Sequence, residues 1–290
     1  MLIDIPSELE FSVTAENLIN GAWNSLIKLI SEYEILKDLG SSKKTLDQYW
    51  TYAKPELTTA LAMVQNAVEF YLKGKIISIS PYLLISLEPR NLPKSSTNSD
   101  ISFSSFRMLD AQDLVKVHNA FANTRLSEDF QIWFHEMRSL RNKIMHTIDR
   151  AILVTPNDLA RSILMCHKFL VGDHSWLAAR YNYLNRSPEY GIRFEDDPPN
   201  HTYIILALHR EISKIIKGLT PSESKKYFNY DKKAHSVPCP TCQEIFEQNE
   251  YFDTKWTDEF INTTQSGQSS SGECIICNQI TTSLNHKAYP

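Results

Sequence analysis

Two sets of residues in this chain have the types and spacing to do chemistry. The first is a pair of Cys-x-x-Cys knuckles, Cys239-Pro240-Thr241-Cys242 and Cys274-Ile275-Ile276-Cys277. Two such knuckles supply four thiolates, which is the donor set of a closed tetrahedral zinc site. A site with four protein sulfurs has no open position for substrate, so the expected ion is structural Zn2+. A redox dithiol is the competing reading, but the βαβ context of a thioredoxin-like site is missing. His235 and His286 could substitute as ligands.

The second set lies on one helix. Over residues 127–149, Phe130, Trp133, Phe134, Met137, Leu140, Ile144 and Ile148 recur at helical spacing and define an apolar face. Arg141 falls about 20° from Phe130, inside that face, where an unpaired guanidinium would be costly. It must reach a carboxylate, a carbonyl or an anionic ligand. Asn142 and His146 are one turn apart on a neighbouring face, with His135 on the same side. A fixed cation can clamp a phosphate, an imidazole can move a proton near neutral pH, and an amide can orient an oxygen. A purely structural alternative pairs Arg141 with Glu69 or Glu136 and leaves His146 as a helix cap.

Mostly helical elements must position these groups. Apolar spacing predicts helices over 14–39 with Thr14 as cap, from Pro55 to about Gly74, and over 110–124, 127–149, 157–171 and 201–218. Residues 87–108 read as a long loop and 172–200 as irregular. Short connections between the helices favour an antiparallel bundle. The expected organisation is an all-α helical domain over 1–220, a basic linker over 221–235, and a small zinc-binding module over 236–290. That module is acidic, which disfavours nucleic-acid binding by the tail alone. It has too few residues for an independent core, so metal would supply much of its folding energy.

The segment LRNKIMH, with Arg141, Asn142 and His146, resembles the signature of the HEPN family: an Arg, a polar residue, and a His a few positions on. The preceding amphipathic segment ALAMVQNAVEFYLKGKI, with its Glu and Lys, is similar to the family's earlier helix. The resemblance covers about residues 12–172. It implies a HEPN-like bundle, a homodimer through the helical domain, and a metal-independent endoribonuclease with its site at the dimer interface. It assigns His146 as general base or acid, Arg141 as phosphate holder and Asn142 as orienting group, with RNA as substrate. A toxin or defence effector with a partner or antitoxin protein is the biological setting it suggests. On a straight helix Arg141 and His146 point well apart, so they would converge only through a bend or a second subunit. The rival reading is a non-catalytic HEPN-type interaction module that docks a partner protein. A nucleotide-binding cleft using the same Arg and His is a third.

Bulk properties exclude several classes. The 290 residues carry a formal net charge of −4, so any RNA contact must be local. The stretch 207–235 is locally basic, as either a solvated linker or a phosphate-contacting strip. The opening MLIDIPSELEF has no secretory signal and no apolar run is long enough to span a bilayer, so a cytoplasmic chain without membrane contact is expected. Cys166 and His167 are expected in a helix core. Tyr181, Tyr183 and Tyr190, interleaved with Arg180, Arg186 and Arg193, either pack on the bundle or stack on unpaired bases. There is no P-loop, dinucleotide fingerprint or serine-hydrolase elbow.

Overall fold

The computed structural model describes residues 1–86, 88, 93, 100–146, 154–172, 175–192, 200–233, 239–248, 271–277 and 280–282, and their side chains except at 144–146, 200, 271–273 and 280–282. These residues are mostly helical, and the chain divides into two compact units, Met1–Leu170 and Val171–Pro290.

The first unit is built on an antiparallel hairpin of two long helices, α1 (Glu8–Asp38) and α2 (Lys43–Ile77). Helix α1 starts earlier than the expected position 14. Ser7 and Glu10 form a reciprocal capping box there, which satisfies two otherwise orphaned backbone donors. Thr14 instead donates its hydroxyl to the Glu10 carbonyl inside the helix. Gly40, at φ +73°, makes the left-handed turn that reverses the chain.

Pro55 does not start α2 but lies inside it. An interior proline removes one helix bond and costs about 3 kcal/mol. Packing against α1 offsets that cost. The Tyr49 hydroxyl donates to the Leu29 carbonyl at 2.8 Å, and Tyr33, Tyr49 and Trp50 form an aromatic cluster with centroids 4.9–5.9 Å apart. Farther along the hairpin Lys28 meets Glu56 and Phe11 meets Phe70. Gly74, the expected end of this helix, lies inside it. A Cβ there would stand 3.1 Å from Phe11 Cβ and 3.3 Å from the Glu8 carbonyl oxygen, so glycine permits the close crossing.

Helix α2 is the axis of this unit. It packs on α1, α3 (Ala111–Phe121), α4 (Glu128–His146) and α5 (Pro156–Leu170). Trp23, Leu26, Leu57, Leu72, Leu114, Phe130, Leu159 and Ile163 are buried in its core. Cys166 is buried too, and burial pushes its thiol well above the ordinary range. Part of the expected 87–108 loop is ordered. Strand β2 (Ile101–Ser102) pairs in parallel with β1 (Leu2–Ile3), and Phe103 is buried.

The second unit is centred on α8 (Asn200–Gly218), which touches α6 (Trp176–Asn185), α7 (Pro188–Gly191) and α10 (Pro240–Glu247). Helix α6 occupies much of the segment expected to be irregular. Trp176, Leu177, Arg180 and Leu184 are its buried face, and Ser175 caps it. The expected linker at 221–235 begins as another helix, α9 (Pro221–Phe228), with a Thr220–Glu223 capping box. Helices expected in the 1–220 domain therefore cluster with the cysteine-bearing segment, because α8 packs on α6 and α10, and α6 packs on α9. Strands β3 (Ser271–Glu273) and β4 (Ile280–Thr282) form an antiparallel hairpin flanking the second knuckle. No helix of the described residues is long and apolar enough to cross a membrane.

Candidate metal centre and polar cluster

The sequence-predicted cysteines come together. Cys239 is the N-cap of α10 and Cys242 lies in its first turn, while Cys274 and Cys277 follow β3. The four Sγ atoms lie within 4.8 Å of one another, with Cys239–Cys277 at 3.5 Å and Cys242–Cys274 at 3.7 Å. Four sulfurs about 2.3 Å from a central zinc would be about 3.8 Å apart in a tetrahedron, so the donor set fits a metal ion. Cys239, Cys242 and Cys274 are buried and Cys277 is partly exposed.

The electrostatics point the same way. Hydrogen bonds from Cys242, Cys274 and Cys277 hold the Cys239 thiol far below its ordinary range. The same crowding pushes Cys242 and Cys274 up. Ionising all four in this pocket requires a cation among them. His235 and His286 lie outside the described residues.

Sequence reasoning missed His209. This side chain from α8 is fully buried against the Phe246 ring of α10, centroids 5.1 Å apart at 75°. Burial pushes its imidazole down to about 4, opposed by the Cys239 sulfur. It holds the first knuckle against α8, together with Leu206 and Phe246. Its sequence signal was only a histidine on the apolar face of an amphipathic helix.

The second candidate site is on α4. Ser127 accepts the Phe130 backbone N–H at 3.2 Å and starts the helix as expected. Phe130, Trp133, Phe134 and Met137 are buried, and Phe130 and Trp133 pack on Phe169 of α5. The apolar stripe opens at its C-terminal end, where Leu140 and Arg141 are half-buried and Asn142 is exposed. Arg141 is therefore not sealed in the core, as its helical angle suggested; the burial it was expected to have ends one turn earlier. Its Nη1 donates to Asn142 Oδ1 at 3.3 Å. The backbone of His146 closes α4, but its side chain lies outside the described residues. His135 is exposed.

Glu69 of α2 is half-buried and feels the charges of Lys73, Arg141 and Arg138. Burial raises its carboxyl above the ordinary range, and the three cations, Lys73 first, pull it back. Three cations from two helices, Lys73 of α2 and Arg138 and Arg141 of α4, thus act on this one carboxylate. Lys73 and Arg138 were not singled out by spacing because each reads as an ordinary helix-surface charge.

Among the described residues, the buried arginine is Arg180. It makes a two-point ion pair with Glu211, Nε–Oε2 at 2.9 Å and Nη2–Oε1 at 2.7 Å, with the Tyr183 ring 5.3 Å away. Arg180, Trp176 and Tyr183 thus pack within the second unit. No family model matches this chain, and no curated protein or solved structure is significantly similar to it.

Proposed function

We propose that this protein is a metal-independent endoribonuclease of the HEPN type, acting as a homodimer, with a structural zinc ion held by Cys239, Cys242, Cys274 and Cys277. The observation that carries the reading is Arg141: a half-buried guanidinium at the open end of the α4 stripe, tied to Asn142 and grouped with Lys73 and Arg138 around Glu69. Arg138 and Arg141 lie on the helix that ends with His146, and guanidinium groups there suit a phosphodiester.

In the proposed reaction a ribose 2′-hydroxyl attacks the adjacent phosphorus. His146 takes the 2′ proton in one subunit, and the new 2′-O–P bond forms as the P–O5′ bond breaks. The leaving 5′ oxygen takes a proton from an acid in the shared cleft, for which the partner's His146 is the group of matching chemistry. The products are a 2′,3′-cyclic phosphate and a 5′-hydroxyl. Arg141 holds the non-bridging oxygens as charge grows on them, and Asn142 fixes the guanidinium and the substrate. Zinc supplies no chemistry; it ties α10 to the β3–β4 hairpin. Free thiols suit a reducing compartment such as the cytoplasm, where a toxin or defence effector would act.

Single-stranded RNA incubated with the purified protein in EDTA tests this. Cleavage with cyclic phosphate ends is expected, and Arg141→Ala and His146→Ala should each lower it by about 10²–10⁴-fold with helicity unchanged. Retained cleavage in both variants would remove the nuclease reading. Absence of cleavage by the wild type, with recovery of a stoichiometric protein partner, would favour the interaction module instead.

A further inference from the structure

The second unit contains a cavity of about 280 Å³ between α6, α8 and the second cysteine knuckle. Its floor is apolar, formed by the buried side chains of Leu177, Ile205 and Ile276. Two rings make its wall. The Tyr181 hydroxyl is 3.1 Å from His201 Nδ1, and the ring centroids are 5.8 Å apart at 59°. The tilted ring contact, supplemented by this hydrogen bond, keeps the two rings side by side in the cavity wall. Asn182 is exposed at the rim and presents both a donor and an acceptor. One turn on, Arg186 donates Nε to the Asn182 carbonyl at 3.1 Å, which anchors a permanent positive charge at the end of the same helix.

We propose that this cavity is a nucleobase-binding site, taking one unpaired base of a nucleotide or RNA strand. The chemistry is matched part by part. A base needs a flat apolar slot with an aromatic face, which the floor, Tyr181 and His201 supply. Single-strand binders recognise bases by this kind of stacking. Its edge needs a group that can both give and accept a hydrogen bond, as Asn and Gln side chains do on adenine. Its phosphate would extend past Asn182 toward Arg186, one turn farther along α6. The cavity is at the small end of ligand pockets, so it admits one ring system rather than a folded peptide. Of Tyr181, Tyr183 and Tyr190, it is Tyr181 that lines this cavity; the Tyr183 ring meets Arg180 instead. The site is built from residues of the second unit alone and does not depend on cleavage at Arg141.

Calorimetric titration of the full-length, zinc-loaded protein with AMP, UMP, inorganic phosphate and N-acetyltryptophanamide tests the proposal, since none of these can be cleaved as RNA. Saturable one-to-one binding of a nucleotide is expected, with none of phosphate alone. Tyr181→Ala should weaken it by about five- to 150-fold, the stacking contribution of one base on one ring. Tyr181→Phe, which keeps the ring, should stay within a few-fold of wild type. The exposed Asn182→Ala change should alter the AMP-to-UMP preference without altering the fold. The proposal is overturned by any of four results: no nucleotide binding, equal binding of phosphate, binding of the tryptophan amide in place of nucleotides, or equal affinity in wild type and Tyr181→Ala. Loss in Tyr181→Phe as complete as in Tyr181→Ala would also overturn it, because the hydroxyl rather than the stacked face would then carry binding.

Discussion

Arg180 and Glu211 hold α6 against α8, and removing either should be among the most damaging single changes in the second unit. Their side chains are 2% and 9% exposed, and two short hydrogen bonds join them. Breaking a pair this buried strands the other charge in the interior, which typically costs 3–5 kcal/mol, whereas an exposed ion pair contributes about 1 kcal/mol or less. Glu211→Gln leaves a guanidinium that cannot shed its proton, so its cost should be nearly constant with pH. Arg180→Met leaves a carboxylate that can neutralise itself by taking up a proton, so its cost should shrink in mild acid. The double change Arg180→Met with Glu211→Leu removes both charges and keeps the volume, and should recover most of the loss. Urea denaturation followed by far-UV circular dichroism, fitting the second unit's transition, measures all three variants. Burial limits ionic screening, so added salt should change the single-variant costs little. Single-variant costs below about 1 kcal/mol, or a double variant as destabilised as the sum of the singles, would refute the reasoning.

Two further outcomes follow from the cysteine cluster and from Glu69. Cys242→Ser, or exhaustive chelation, should release one metal equivalent and remove the transition of the cysteine-bearing segment, while α1–α5 keep theirs; an unchanged melting profile with no metal released would contradict the four-sulfur site. For Glu69, burial raises the folded-state carboxyl above its unfolded value. The folded protein then binds the proton more tightly, so stability falls as pH rises above the ordinary glutamate range and the burial cost is fully felt at neutral pH. Glu69→Gln should accordingly raise the melting temperature at neutral pH, and this gain should shrink as the pH is lowered toward 4. A destabilised Glu69→Gln at neutral pH would show that the three nearby cations outweigh burial.

Much of the secondary structure was legible in the sequence because its causes are local. Apolar residues at helical spacing marked α4, α5 and α8 to within a few residues, and Ser127 announced the start of α4. Two Cys-x-x-Cys pairs were enough to name the four residues that converge, since thiols at that spacing have few other structural uses. Pro55 misled for the same reason: its effect on the helix is local and visible, while the aromatic cluster that offsets it joins residues from both arms of the hairpin.

Only the tertiary structure decided which charges are buried. Helical angle put Arg141 in the core, yet the neighbouring elements stop short of it, and Arg180 is the arginine that they enclose. The same holds for His209 behind the first knuckle, for the Tyr181–His201 wall of the cavity, and for the division of the chain after Leu170. Periodicity along one helix says which face is apolar. Whether a side chain on that face loses its water depends on what another element, distant in sequence, lays across it.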